Sequence, residues 1–207
     1  MKPKRSKYNV LAGLLFFIII PGCVVISFYP LYEEKDLFAN DLLLGKWYGD
    51  DSTVWIFNYP TVKKNGIKID DSTGYVMQIV TADGETEKST LAVHVIKLDN
   101  RYYLDFYLDN YAPTKGDRGD FVLFDLHMMP VHTFARLDYW NDSVEISWFD
   151  PDWLDQQIRE NRVRIRHEKN ESNTLLTARP HELQEFVRKY GHLDDAYSMD
   201  QKLIKIK

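Results

Sequence analysis

Arg101-Tyr102-Tyr103-Leu104-Asp105-Phe106-Tyr107-Leu108-Asp109-Asn110 alternates residue by residue. Tyr102, Leu104, Phe106 and Leu108 fall on one face, and Tyr103, Asp105, Tyr107 and Asp109 on the other. That is the period of two of a β-strand, with one apolar face and one amphipathic face. Further along the chain, Val144, Ile146 and Trp148 alternate in the same way with Glu145, Ser147 and Phe149, and Val163 and Ile165 with Arg162, Arg164 and Arg166. Turn residues separate the runs. Asp83-Gly84 stands between 75–81 and 88–98, Asp99-Asn100 precedes Arg101, and Asn141-Asp142 lies between 134–140 and 144–149. Successive hairpins of this kind build an antiparallel meander, which curls toward a barrel or half-barrel to hide its edges.

Two short helices are expected to flank that sheet. Asp150-Pro151 supplies an N-cap and a proline at the first helical position, with Trp153, Leu154 and Ile158 as the apolar side. The second starts near Pro180. Leu183, Phe186, Val187 and Tyr190 fall at i, i+3, i+4 and i+7, and Gly191 stops it. Residues 201–207 read as a last strand or a frayed end. Gly45-Lys46-Trp47 resembles the first-strand signature of lipocalin-type barrels, whose Trp closes one end. The expected class is therefore mainly β: an antiparallel meander forming a lipocalin-like barrel or half-barrel with two short flanking α-helices.

The N-terminus has a different character. Lys2, Lys4, Arg5 and Lys7 precede an apolar run over 11–20, and then come Pro21, Gly22 and Cys23, the only cysteine of the 207 residues. A positive start, a short apolar stretch and a small residue before the cut make a secretory signal. With Cys23 directly after Gly22, it resembles a bacterial lipoprotein signal, cleaved after Gly22 and acylated on Cys23. An uncleaved anchor remains as the alternative, because residues 10–28 carry no charge over nearly the length of a membrane-crossing helix. The expected division is signal peptide 1–22, lipidated tether 23–40 and one β-rich domain 41–207. The formal charge is −5. Residues 1–22 hold four basic and no acidic residues, so the mature chain stands at −9. Such a surface excludes a general nucleic-acid binder and leaves membrane attachment to the N-terminal anchor.

Several segments together resemble a widespread group of uncharacterised bacterial lipoproteins: Tyr29-Pro30-Leu31-Tyr32, Leu44-Gly45-Lys46-Trp47, Pro130-Val131-His132-Thr133-Phe134, Asp150-Pro151-Asp152-Trp153-Leu154 and Glu182-Leu183-Gln184-Glu185-Phe186. The group differs at Arg179, where it tends to carry a serine-like cap. The resemblance implies a cell-envelope protein facing the periplasm or exterior, and Val24 after Cys23 points to the outer membrane. It brings no catalytic residue.

The chemistry-bearing residues lead to binding rather than catalysis. The aromatic set Trp47, Tyr48, Trp55, Phe57, Tyr59, Tyr75, Tyr103, Tyr107, Trp140 and Trp148 suits a core or the lining of an apolar cleft. The candidate ligand-binding residues are Trp47, Phe106 and Trp148 in the barrel, with Arg164 for a carboxylate or phosphate if its face lines a pocket; otherwise Arg162, Arg164 and Arg166 form a solvated outer face paired with acids such as Glu160 and Glu168. His127 and His132 near Asp125 lack a third convergent metal ligand, so no metal site is expected. Arg118-Gly119-Asp120 reads as a chance tripeptide, and Asp50-Asp51-Ser52 and Asp70-Asp71-Ser72 as turns. No nucleophile elbow, phosphate-cradling glycine loop or His-Glu-x-x-His motif occurs. The expectation is a non-enzymatic, cofactor-free module that binds a small apolar ligand or an envelope protein. A structural or assembly factor without a small-molecule site, and a hydrolase working through a pair of carboxylates, are the competing readings.

Overall fold

The computed structural model of the protein describes residues 24–64, 66–80, 90–110, 129–171 and 173–207. The signal segment, Cys23, the Asp83-Gly84 turn, Arg118-Gly119-Asp120, Asp125 and His127 lie outside the described residues.

The chain begins with β1 (Ile26–Ser27) and a 3-10 turn (Glu34–Asp36), followed by β2 (Gly45–Gly49), β3 (Val54–Asn58), the hairpin β4 (Thr61–Lys64) and β5 (Ile67–Asp70), β6 (Tyr75–Val80), β7 (Thr90–Leu98), β8 (Arg101–Asn110), β9 (His132–Trp140) and β10 (Ser143–Phe149). Helix α1 (Pro151–Arg159), β11 (His167–Lys169), β12 (Thr174–Leu176), α2 (Pro180–Tyr190), a 3-10 turn (Asp194–Ala196) and β13 (Tyr197–Lys205) complete it. Eight strands pair antiparallel in the circular order β2-β3-β6-β7-β8-β9-β10-β13, and β13 returns to β2 through Leu203↔Gly49 and Lys205↔Trp47. The meander is thus a closed lipocalin-like barrel with two flanking helices, and the tail is its eighth strand. Closure removes the sheet edges that an open meander would expose.

Local chemistry explains the elements. Asp99-Asn100 is a two-residue hairpin loop, with Leu98 opposite Arg101 and Asp99 at φ 54°. Asn141-Asp142 does the same between Trp140 and Ser143. Asp150 caps α1 by accepting the amides of Asp152 and Trp153. Gly45, at φ 114°, starts β2 in a backbone conformation that costs a side-chain-bearing residue. Asn40 ties the chain across that end of the barrel: its backbone carbonyl accepts the Tyr59 hydroxyl at 2.8 Å, and its side chain accepts the Tyr75 hydroxyl at 2.5 Å. None of the helices among the described residues is long and apolar enough to cross a membrane.

Two hydrophobic cores share the barrel wall. The inner one holds Leu43, Trp47, Trp55, Phe57, Met77, Val95, Leu104, Phe106, Leu137, Ile146, Trp148 and Leu203 among others. The outer one lies between the wall and the helices, with Ile96, Tyr103, Phe134 and Phe149 on the wall and Leu154, Leu183, Phe186 and Val187 on α1 and α2. Both faces of β8 are therefore buried along Tyr103–Phe106.

Residues 24–40, read from sequence as tether, run against this structure. Ile26 and Ser27 pair with Thr133 and His132 of β9 on one side and in parallel with Leu175 and Leu176 of β12 on the other. Val25 and Leu31 belong to the outer core. The segment 162–166, expected as a strand, is not one. Its burial still alternates, with Val163 buried and Ile165 half-buried, but it enters no ladder. Alternation reports which side chains face the protein and says nothing about whether a partner strand stands alongside.

Candidate functional site

The expected ligand-binding residues separate. Trp47, Phe106 and Trp148 all point into the barrel, where they are 0, 4 and 7% exposed. Phe106 stacks on Trp148 at 5.6 Å between ring centroids, and Trp55 meets Trp148 at 6.5 Å. The Trp47 indole N–H donates to the Leu43 carbonyl at 2.6 Å, and the Lys205 ammonium sits 5.1 Å from its ring. These side chains pack the interior against one another, as core aromatics do. Tyr48 and Trp140, from the same aromatic set, are exposed on the outside.

Arg164 lies outside the barrel, on a groove of about 710 Å³. One wall is the segment 161–166. It leaves α1 where the Arg162 and Val163 amides both donate to the Gln157 carbonyl. It is then held at each end: the Tyr190 hydroxyl donates to the Arg162 carbonyl at 2.8 Å, and the Thr177 amide to the Arg166 carbonyl at 2.9 Å. The other wall is one face of α2, carrying Glu182, Glu185, Phe186, Lys189 and Tyr190 at helical spacing. Trp153 of α1 backs this face, 5.8 Å from the Tyr190 ring. Extended chain and helix thus enclose a cleft with apolar side chains at its base and charges on its rim.

The rim charges differ in their partners. Arg162 pairs with Glu160 at 3.0 Å, and Arg166 pairs with Glu182 through both Nε and Nη2. The Arg166 hydrogen bond holds the Glu182 carboxyl below its ordinary value. Glu182 also accepts the Arg179 amide at 2.7 Å, so it caps α2 where Arg179 itself provides no side-chain cap. Arg164 has no ion pair or hydrogen bond among the described residues.

A second polar cluster was not anticipated from the sequence. It sits on the outer face of the wall, under residues 24–32. Asp105, wholly buried, accepts the Leu31 amide at 2.8 Å and meets His132 Nδ1 at 2.7 Å. The partner of His132 is therefore a buried carboxylate. The Tyr107 ring stacks over His132 at 4.4 Å. His94 stands opposite Asp105 across the β7–β8 ladder, under the Tyr32 ring at 4.5 Å, and its Nδ1 has no hydrogen-bond partner among the described residues. Gly74 makes room for that imidazole, since a Cβ there would come within 2.9 Å of the ring. Burial holds His94 below its ordinary value, and burial, with Asp105 adding, pushes the Tyr32 hydroxyl up to about 12. The Gln184 amide nitrogen donates to the Leu31 carbonyl at 3.0 Å and to Asp36 at 2.8 Å. An Asp–His pair is a general-base arrangement, yet the nearby Ser27 hydroxyl donates to the Tyr29 carbonyl at 2.8 Å and is fully buried. The cluster docks a chain segment. Its one legible sign in the sequence is an acid in the middle of the Leu104–Phe106 run.

The two Asp-Asp-Ser stretches serve turns. Asp51 and Asp71 each accept the amide and hydroxyl of the threonine two residues on. No cluster of three or more metal-ligating side chains occurs among the described residues. Comparison of the chain with protein-family models, curated proteins and solved structures returned no match.

Proposed function

We propose that the protein is an exported, lipid-anchored module of the bacterial cell envelope that acts by binding an envelope protein, without catalysis, on the outside of its barrel. The observation that carries this reading is the contrast between an interior occupied by the protein's own aromatic side chains and an exterior cleft that offers Arg164 without a counter-ion among the described residues. A filled barrel speaks against the small apolar ligand that lipocalin-like folds suggest, because a ligand cleft needs ~300–1,000 Å³ of its own. The anchor reading rests on the Gly22-Cys23 pair in the sequence. The Val25 amide, two residues further on, donates to the Phe149 carbonyl, so if Cys23 is acylated the domain is held close against the bilayer.

Intact mass spectrometry of the protein extracted from membranes tests the anchor. The expected mass starts at Cys23 and includes two or three acyl chains. A mass beginning at Met1, or retention of a Cys23→Ser variant in membranes at parental levels, overturns it.

A further inference from the structure

We infer that the cleft between residues 161–166 and α2 receives an extended acidic segment of the partner protein, with one carboxylate of that segment gripped by Arg164. This inference rests on the reading that the protein binds an envelope protein, and names the site and the chemistry of the occupant. Charge favours this occupant. The cleft lining carries Arg162, Arg164, Arg166 and Lys189 against Glu182 and Glu185, a positive balance on a mature chain of net negative charge. Arg162 and Arg166 are already engaged by Glu160 and Glu182, which leaves Arg164 as a planar guanidinium whose donor fork fits a carboxylate in two parallel bonds. Arg164 is the one guanidinium of the lining without an ion pair among the described residues, and its single charge is matched by a monoanion. A phosphate would bring nearly two charges beside Glu182 and Glu185, whereas a carboxylate brings one.

Shape favours it as well. The wall over 162–166 is non-helical chain on which Arg162, Arg164 and Arg166 are exposed at every second position, with Val163 buried and Ile165 half-buried between them, all five lining the cleft. It runs directly into β11, the terminal strand of the 11-stranded sheet, whose outer side is unpaired among the described residues. An extended peptide laid along this wall meets a guanidinium at every second residue and can continue as an added strand on β11, the usual way an exposed edge takes up a peptide. Ile165, Phe186 and Tyr190 then receive apolar residues flanking the acid.

The test uses the full-length protein in detergent and a labelled ten-residue peptide alternating valine and serine around a central glutamate. Its glutamine counterpart and inorganic phosphate are the comparisons, with binding read by fluorescence anisotropy. Saturable binding of the glutamate peptide, weakened roughly tenfold in Arg164→Glu and by the glutamine exchange, is the expected result. Arg164→Lys should recover only part of it, because an ammonium cannot make the paired bonds. Equal affinity for the glutamine peptide, indifference to Arg164→Glu, displacement by phosphate at peptide-like concentrations, or no saturation at millimolar peptide overturns the inference. Photo-crosslinking in cells separates that failure from failure of the wider reading. A photoreactive residue at position 46 on β2 that captures an envelope protein, when one at position 164 does not, removes the cleft and keeps the binding function. Capture from neither position removes both.

Discussion

The inner and outer cores are built from opposite faces of the same strands, yet they are held by different chemistry. Inside, the contacts are between aromatic and aliphatic side chains, and the Trp47 N–H, one polar atom there, finds the Leu43 carbonyl four residues back. Outside, buried polar groups recur: Asp105, His132, Ser27 and Gln184. The difference reflects what each core must join. A closed ladder already satisfies the backbone of the wall and fixes which side chains meet inside it. Among the described residues, the N-terminal segment joins the sheet through the two-residue strand β1 and α2 belongs to no ladder. The Leu31 backbone is buried without a ladder and needs Asp105 and Gln184 as partners, 74 and 153 residues away. Packing alone tolerates shifts, whereas a buried hydrogen bond fails unless the geometry is met.

The largest effect is expected on the inner side. Trp47→Ala removes a fully buried ring and leaves the Leu43 carbonyl without its donor, so it should cost about 3–5 kcal/mol. The loss should be global: chemical denaturation shifts its midpoint, and hydrogen exchange rises in every barrel strand. A loss confined to residues 24–40 would mean that the inner core is not the scaffold.

Asp105→Asn should cost less, about 1.5–3 kcal/mol, because the amide keeps the shape and one acceptor while losing the charge-assisted bonds to His132 and Leu31. Its signature is local. Exchange should accelerate at the Leu31 amide and through residues 24–36 while β3 and β6 stay protected. Uniform acceleration over the barrel would erase the distinction between the two cores.

His94 separates the two layers through pH. Its ordinary value is 6.5, and burial lowers it in the folded protein, with Asp105 and Asp71 opposing that shift and His132 adding to it; the Tyr32 ring covers the imidazole. Below about pH 6.5 the unfolded chain therefore takes up a proton that the folded chain resists, so stability falls as the pH drops toward the depressed folded value. His94→Phe keeps a ring in place and removes the titration and the orphaned Nδ1. The two proteins should differ little at neutral pH, and the variant should lose less stability on acidification through that window. Parallel stability curves would show that His94 does not titrate with folding.

Legibility in the sequence divides along the same line. Alternation in 101–110 and 144–149, the two Asp/Asn hairpin loops, Asp150-Pro151 and the Gly45-x-Trp47 pair sufficed for a meander, barrel or half-barrel, with a flanking helix, because each is a local signal about neighbours in the chain; closure, which joins the tail strand β13 to β2, was left open. The outer layer was hidden by the ambiguity of Tyr103, Asp105 and Tyr107, which read as a half-wet face and are covered by elements distant in sequence. Arg164 was named from the sequence as a candidate side chain for a carboxylate or phosphate. Its cleft was not legible, since α2 forms the opposite wall and no local pattern says which strand face a helix will meet.

Arg179 offers the smallest and most discriminating test. It stands at the N-cap of α2, where serine is a far better residue, and exchanging it for a capping side chain would ordinarily gain about 0.5–2 kcal/mol. Yet its guanidinium lies 4.4 Å from the Tyr29 ring, a contact of about 0.5–1 kcal/mol that joins the helix to the N-terminal segment. If polar and aromatic contacts position the outer layer, as the buried partners of Leu31 imply, Arg179→Ser should gain at the helix what it loses at Tyr29 and leave the melting temperature nearly unchanged. The same exchange made in a Tyr29→Leu background, where that contact is already gone, should then be plainly stabilising. Equal gains in both backgrounds would mean that Tyr29 and Arg179 merely lie beside each other, and that α2 is set by its apolar face alone.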